Sequence, residues 1–280
     1  MHDPRITPVR PDLAAEFLRG VVDAPRFAAG RVLRVAIGVA PVRGAPRPDA
    51  PLLTEALLGE TVAVFDTQEG WCWGQLEADG YVGWLPEAAF EGDQGEPTHR
   101  VSALRSFRFP GPSIKLPPAD VVPLNARVTV VGRNGTLAVL AGGGCVPDVH
   151  LCPLDRFDSD FVAVAERFAG VPYLWGGKTG LGLDCSGLVQ VALMACGQVC
   201  PRDSDMQEAS LGAAVTDWDA ATLRRGDLIF WQGHVAIARG DGTIIHANAH
   251  HMAVAIEPAG QAIVRIAAAG FPVRAIRRPA

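Results

Sequence analysis

The stretch "LDCSGLVQVALMA", residues 183–195, places Cys185 between an aspartate and a serine at the start of an apolar run. The apolar spacing predicts a helix from Cys185 to about Cys196, with Asp184 as its N-cap. Unpaired N–H groups and the dipole at a helix start favour a thiolate, so we expect the pKa of Cys185 to fall below about 8.5. Cys185 is therefore a candidate nucleophile, and the alternative is a small buried side chain. A nucleophile needs a base.

A base is available in "GHVAIARGDGTIIHA", residues 233–247. The pattern predicts two strands joined by a turn at Gly240-Asp241-Gly242, with His234 opening the first strand and His246 in the second. A three-residue loop centred on Gly240 would set the histidines directly opposite each other on one face, with Cβ atoms about 4.5–5.5 Å apart. One imidazole could then deprotonate the thiol while the other orients it. A one-residue change of register would break this pairing.

Other histidines and cysteines offer weaker chemistry. His250 and His251 follow the second strand and are interpreted as loop residues. Cys196 and Cys200 are loosely spaced, and no second pair of ligands follows, so we do not expect zinc. No metal or organic cofactor is expected.

The elements that position these residues divide the chain into four parts. The first is an N-terminal arm with a short helix around Asp12–Arg19. The second has period-two strands, turn signals at Glu69-Gly70 and Asp79-Gly80, and three tryptophans, which are typical of a small antiparallel barrel. After a linker, "EGDQGEPTHR", a third part is again strand-like, with a hairpin turn at Asn134-Gly135. The predicted ranges are 1–30, 31–92, 100–153 and 155–280.

The last part carries the candidate chemistry. A helix in "DSDFVAVAERFAG", capped by a serine or aspartate and ending at Gly170, precedes the cysteine helix, and several strands follow. Helices followed by an antiparallel sheet predict an α+β fold.

Composition excludes some function classes. Hydrophobic residues make up 49% of the chain and charged residues 20%, which indicates a globular protein. A net charge of −5 argues against broad binding to nucleic acid or anionic membranes. The N-terminal residues contain no apolar signal segment and no stretch could span a bilayer, so we expect a cytoplasmic protein whose six cysteines are reduced.

Four motifs in order, "YLWGGKTGLGLDCSGLVQ", "PRDSDMQ", "RRGDLIFWQGHVAIA" and "GTIIHA", resemble the NlpC-type cell-wall cysteine peptidases, which have a papain-like core. The resemblance covers roughly residues 160–275. The stretch "GETVAVFDTQEGWCWGQLEADGYVGWLP" resembles a bacterial SH3-like domain. The third part, residues 100–153, is expected to be a second SH3-like domain after the first at 31–92. Two such domains and the "DPRITPVRPDLA" arm resemble the γ-D-glutamyl-L-diamino-acid endopeptidases (dipeptidyl-peptidase VI).

The resemblance implies roles for the candidate residues. Cys185 would be the nucleophile, His234 the general base and acid, and His246 the orienting residue. It also implies substrate contacts around the cleft. These are Tyr173 near the oxyanion site, Trp175 lining the cleft, Asp184 and Ser186 beside the nucleophile, and Asp203 and Ser204 in a loop that contacts the peptide.

In this subgroup, an acid and a tyrosine of the first SH3-like domain bind the free amino terminus of the substrate. Tyr81 matches the tyrosine, and Glu55 is the expected acid, with Glu60 as its competitor. The alternative is that Tyr81 packs its barrel and Glu55 is a solvated surface acid.

The implied reaction is hydrolysis of the γ-D-glutamyl–diamino-acid bond in murein peptides such as L-Ala-γ-D-Glu-meso-diaminopimelate, in the recycling of wall peptides. Two alternatives stay open. One is an amidase acting on the muramoyl–L-Ala bond, or a related acyltransferase. The other is a catalytically silent module that binds wall peptide or a partner. Such a module has no physical need for Cys185, His234 and His246 together.

Overall fold

The computed structural model describes residues 2–92 and 94–279, and the chain divides into two units between Arg156 and Phe157. Met1, Asp93 and Ala280 lie outside the described residues. They include the first residue of the predicted arm, one residue of the predicted linker and the last residue of the predicted peptidase domain.

Within its described residues, the first unit consists of short strands with three short 3-10 helices, Glu16–Leu18, Glu87–Phe90 and Asp148–His150. Its strands are β1 (Val9–Arg10), β2 (Leu13–Ala15), β3 (Phe27–Ala28), β4 (Arg31–Arg34), β5 (Val39–Arg43), β6 (Leu52–Leu57), β7 (Thr61–Gln68), β8 (Trp71–Leu76), β9 (Val82–Pro86), β10 (His99–Val101), β11 (Arg105–Arg108), β12 (Asp120–Pro123), β13 (Arg127–Val128), β14 (Val130–Asn134), β15 (Leu137–Leu140), β16 (Cys145–Pro147) and β17 (Leu151–Pro153).

Strands β4 to β9 form a six-stranded antiparallel sheet in the order β4-β7-β8-β9-β5-β6. The predicted turn at Glu69-Gly70 joins β7 to β8, and both residues have positive φ, 48° and 79°. A two-residue turn of this kind matches the twist of the flanking strands. The apolar side chains on one face of the strands close over a shared core, which includes Val42, Val64 and Leu85.

The predicted helix around Asp12–Arg19 is wrong. Leu13–Ala15 is strand β2, which pairs with β1 on one side and β3 on the other, and only Glu16–Leu18 is helical. All three residues of β2 are buried, so tertiary pairing overrides the local helical pattern.

Residues 94–156 form three small sheets, β13-β10-β17, β11-β12 and β14-β15-β16. Asn134 pairs with Leu137, so the hairpin loop is Gly135-Thr136, one residue later than predicted. That this part is a second SH3-like domain stays a prediction.

The second unit has α+β architecture, as the sequence predicts. Its helices are α1 (Phe161–Glu166), α2 (Cys185–Ala195), α3 (Ser204–Ser210) and α4 (Ala259–Ala268). Its strands are β18 (Lys178–Thr179), β19 (Gly182–Leu183), β20 (Ala213–Ala214), β21 (Leu228–Trp231), β22 (His234–Ala238), β23 (Thr243–Asn248), β24 (Ala253–Pro258) and β25 (Ala275–Arg278). Six of them form an antiparallel sheet in the order β20-β25-β21-β22-β23-β24, and α2 packs against β22 and β23.

The helices begin where the sequence provides caps. Asp160 accepts hydrogen bonds from the N–H groups of Val162 and Ala163, and α1 ends at Glu166, before the predicted Gly170. Of the described helices, none has the length and hydrophobicity needed to cross a membrane.

Gly187 allows a loop to approach the first turn of α2. A Cβ atom at this position would lie 2.2 Å from the carbonyl oxygen of Gly177. The cysteine helix and the "YLWGGK" loop therefore meet backbone to backbone, a distance that only glycine permits.

We predict that Gly187→Ala destabilises the second unit, although alanine has the higher helix propensity by about 1 kcal/mol. The methyl group must displace backbone, at a cost of about 1–3 kcal/mol. Calorimetric melting should show a lower Tm. Gly260→Ala in α4 is the control, because its Cβ would be 3.9 Å from the nearest atom, and it should keep or raise the Tm. An equal response of the two variants would contradict the prediction.

Candidate active site

Cys185 is the first residue of α2, and the predicted N-cap is confirmed. The Asp184 side chain accepts a hydrogen bond from the Gly187 N–H at 2.7 Å. Cys185 is only 8% exposed, and nearly every residue of α2 is buried. The nucleophile candidate is therefore held on a rigid, buried element.

The Asp184 carboxylate also fixes the surroundings of Cys185. Its Oδ2 accepts from the Gly176 N–H at 2.9 Å and from Arg202 Nη2 at 2.6 Å. Its Oδ1 accepts from Arg202 Nη1 at 2.9 Å and from Ser186 Oγ at 3.3 Å, in addition to Gly187. Both oxygens are thus bonded within the protein. The side chains of Asp184 and Ser186 therefore connect the loop, the helix and Arg202 through hydrogen bonds. A contact of these two residues with substrate stays a prediction.

Sequence reasoning missed Arg202 and Gln207. Arg202 is 1% exposed, and Gln207, which is fully buried, donates from Nε2 to the carbonyl oxygens of Ser186 at 3.0 Å and Pro201 at 2.8 Å. Arg202 could have been expected from one argument, which is that a buried aspartate such as Asp184 requires a cation.

Both missed residues lie in the "PRDSDMQ" motif. The two residues predicted from that motif, Asp203 and Ser204, are half-buried at the start of α3. Their contact with the peptide stays a prediction.

The two histidines meet, but in a different register from the predicted one. Ile237 pairs with Ile245 and Ala238 with Ile244, so the three-residue loop is centred on Asp241 and not on Gly240. The histidines are diagonal neighbours. Because the shift is two residues, both side chains keep the same face. His234 Nε2 lies 2.8 Å from His246 Nδ1.

The chain of contacts continues beyond His246, which sequence reasoning also missed. His246 Nε2 lies 2.8 Å from Glu257 Oε1, and Arg265 of α4 binds both oxygens of that carboxylate at 2.6 Å. Ala255 is the strand partner of His246, so Glu257 two residues later is on the same face. The register of β23 with β24 was the missing information.

The sulfur of Cys185 contacts the backbone on both sides of His234. Sγ lies 4.0 Å from the Gly233 carbonyl oxygen, and the Val235 N–H faces the sulfur. The structure therefore brings together the three residues predicted for catalysis, on α2, β22 and β23.

The electrostatics differ from the expectation of a lowered thiol pKa. Burial raises the pKa of Cys185 to about 12, the Asp184 charge raises it further, and the N–H groups of Val235 and Ser186 oppose this only in part. Burial lowers the pKa of His234, and its neighbours His246 and Arg265 lower it further. The pKa of His246 is also lowered, mainly by burial. At neutral pH the resting site therefore holds a thiol and two neutral imidazoles.

Tyr173 and Trp175 lie in the segment between α1 and β18. Burial, followed by the nearby Cys185 and Asp184, raises the pKa of Tyr173 to about 12, so its hydroxyl stays a donor. Trp175 is 68% exposed, which leaves its ring free to contact a ligand.

The substrate-binding residues predicted in the first unit are buried. Tyr81 is 5% exposed and belongs to the core of its sheet, and Glu55 in β6 is 7% exposed, so it is not a solvated surface acid. Glu60 accepts a hydrogen bond from the Leu57 N–H at 2.9 Å. Their roles toward substrate stay predictions.

Among the described residues, His246, His251 and Glu257 have ligand atoms within 4.8 Å of one another, close enough for a metal ion. The guanidinium of Arg265 already binds both oxygens of Glu257, which disfavours a second cation there. Cys196 and Cys200 do not belong to this group.

We predict that alkylation of Cys185 by iodoacetamide accelerates about tenfold per pH unit between pH 7 and 10, because only the thiolate reacts and burial raises the thiol pKa. Peptide mass spectrometry measures the rate at Cys185, and the half-buried Cys196 in the same digest controls for reagent and unfolding. A rate that is constant over this range would mean a preformed thiolate–imidazolium pair and would contradict the assignment of a neutral thiol.

Comparison with known proteins agrees with this arrangement. Residues 42–90 match the family model described as the bacterial dipeptidyl-peptidase Sh3 domain, and residues 170–266 match the NlpC/P60 family. A gamma-D-glutamyl-L-lysine dipeptidyl-peptidase of Bacillus cereus is 33% identical over 239 residues, which cover 74% of this chain and 70% of that protein. The Bacillus subtilis protein of the same name is 28% identical over 228 residues, 71% of this chain and 73% of that protein.

A solved structure also resembles the fold. The crystal structure of an NlpC/P60 family protein from Bacillus cereus has a TM-score of 0.73 and covers 89% of this chain and 99% of its own, at 24% identity. The residues matched to the NlpC/P60 family include Cys185, His234 and His246 of the second unit. The chain therefore belongs to the NlpC/P60 family and is a cysteine peptidase with a bacterial SH3 domain.

Proposed function

We propose that this peptidase hydrolyses the γ-D-glutamyl–L-diamino-acid bond of murein peptides that begin with a free L-Ala. The observation that carries the proposal is the position of the Cys185 sulfur against Gly233 and Val235, on both sides of His234. The gamma-D-glutamyl-L-lysine dipeptidyl-peptidases with which the chain aligns supply the bond and the substrate class. Recycling of wall peptides in the cytoplasm is part of the proposal.

The mechanism follows from the neutral resting site. As the γ-carbonyl carbon approaches, the thiol proton moves to His234 and the sulfur forms a bond to that carbon. Backbone N–H donation at the start of α2 would then stabilise the oxyanion. When the C–N bond breaks, His234 gives its proton to the leaving amine of the diamino acid. Water then hydrolyses the thioester and restores the thiol.

The neutral state of Cys185 and His234 determines when the proton is transferred. Proton transfer from a thiol of raised pKa to an imidazole of lowered pKa is unfavourable in the empty site. The transfer must therefore be coupled to attack, so that the new C–S bond and the bound oxyanion offset its cost. Such a site spends little time as a reactive thiolate without substrate.

We expect purified protein to release the diamino acid from L-Ala-γ-D-Glu-L-Lys or L-Ala-γ-D-Glu-meso-diaminopimelate, with loss of at least about 10³-fold in kcat/KM for Cys185→Ala, because the nucleophile is removed. Mass spectrometry of the products identifies the bond that breaks. Ser210→Ala, an exposed hydroxyl of α3, is the control that should keep full activity. Release of L-Ala from muramoyl peptide, with no cleavage after the γ-glutamyl residue, would overturn the proposal in favour of an amidase.

Peptides with an acetylated N-terminus test the preference for a free amine. We expect kcat/KM to fall at least about tenfold, since acetylation removes the ammonium and a hydrogen bond to a charged group contributes roughly 1.5–3 kcal/mol. Glu55→Gln should reduce the difference between free and acetylated peptides, and Glu60→Gln, whose acid accepts from Leu57 N–H, is the comparison. Equal cleavage of both peptides would keep the peptidase and remove the free-amine preference.

A further inference from the structure

Glu257 of β24 is a nearly buried carboxylate that lies between three charged or titratable groups. Its side chain is 9% exposed, it lies 2.8 Å from His246 Nε2, and Arg265 Nη1 and Nη2 each contact one of its oxygens at 2.6 Å. His251, whose Nδ1 is 4.0 Å from Glu257 Oε1, is bonded to the Asn248 side chain at 3.0 Å. Arg265, His246 and His251 are thus the charged or titratable groups recorded against this carboxylate among the described residues.

The carboxylate gives the hydrogen-bond chain a direction. Burial raises the pKa of Glu257, but Arg265 and His246 outweigh it and hold the pKa at about 2, so the group is ionised and can only accept. His246 must therefore carry its proton on Nε2 and present Nδ1 as an acceptor. His234 Nε2, 2.8 Å away, must then be the donor to it. The remaining nitrogen of His234, Nδ1, is left with a free lone pair.

A histidine in the orienting position needs this direction. A neutral imidazole has two tautomers, and with the proton on Nδ1, His246 would donate to His234 Nε2. His234 would then carry its own proton on Nδ1 and could not accept one from the thiol there. An asparagine would not have this ambiguity, because its amide oxygen accepts whatever lies behind it.

We propose that Glu257, held by Arg265, is a positioning residue that fixes the tautomers of His246 and His234, so that His234 meets Cys185 as a proton acceptor. The inference rests on the peptidase activity proposed above. It assigns a function to two residues of β24 and α4 that make no contact with the thiol among the described hydrogen bonds.

The first test is Glu257→Gln, which keeps the shape but lets an amide donate as well as accept. We expect kcat/KM to fall by about 10- to 100-fold, a part of the roughly 10²- to 10⁴-fold that a positioned general base supplies, with KM little changed. Glu166→Gln is the matched control. Glu166 is also held by two arginines, Arg225 and Arg239, but contacts no histidine in the described bonds, and its replacement should leave kcat unchanged.

The second test separates positioning from folding. In a His246→Asn background the orienting group has no tautomers, so adding Glu257→Gln should cost less than about twofold. Loss by the same factor in both backgrounds would show that Glu257 acts through the fold, and would overturn the proposal. Wild-type activity in Glu257→Gln alone would overturn it as well.

The third readout needs no substrate, so it distinguishes failure of this inference from failure of the proposed function. Long-range ¹H–¹⁵N spectra of ring-labelled protein report the tautomer of each of the seven histidines. We expect His234 and His246 both to carry the proton on Nε2, and Glu257→Gln to mix or reverse this. Unchanged tautomers in the variant would contradict the proposal even if the enzyme has another substrate.

Discussion

The buried carboxylate of Asp184 is the interaction on which the rest of the site depends. It caps α2, binds the "YLWGGK" loop through Gly176, and forms an ion pair with Arg202, whose guanidinium is almost fully buried. Removal of one partner from a buried pair typically costs about 3–5 kcal/mol, because the other charge is left without compensation. Asp184 therefore fixes both the position of Cys185 at the start of α2 and the position of the "YLWGGK" loop beside it.

From this fixed helix, the chemistry extends along the sheet. The Cys185 sulfur contacts the backbone around His234, and the hydrogen bonds then run from His234 to His246 and on to Glu257. The thiol and the imidazoles are buried and neutral. The direction of the hydrogen bonds, and not a fixed charge, therefore orients the imidazoles toward the thiol. Without substrate, Cys185 consequently stays a neutral thiol, which is less reactive than a thiolate and protects the side chain from unwanted reaction.

Local patterns in the sequence predict much of this site, and long-range ones do not. Asp184, the start of α2 and the two histidine strands follow from capping and periodicity within short windows. The predicted loop centre was wrong by one residue, which moved the register by two and preserved the shared face.

Arg202 and Glu257 were missed for a different reason. Arg202 reaches Asp184 across 18 positions, and Glu257 joins His246 only through the register of two strands, so neither contact leaves a local signal. The helix predicted in the arm failed because Leu13–Ala15 pairs with two strands. The prediction of a lowered pKa for the Cys185 thiol was wrong, because the pKa is raised by burial and burial depends on the tertiary structure.

The most direct test of the nucleophile is to trap the acyl-enzyme. Protein quenched in acid during turnover of L-Ala-γ-D-Glu-L-Lys should carry the L-Ala-γ-D-Glu acyl group on the peptide that contains Cys185, in a thioester that hydroxylamine removes. The Cys185→Ala protein should carry none. An acyl group on another residue, or product formation with no acylated enzyme under any quench time, would contradict the central claim that Cys185 is the nucleophile.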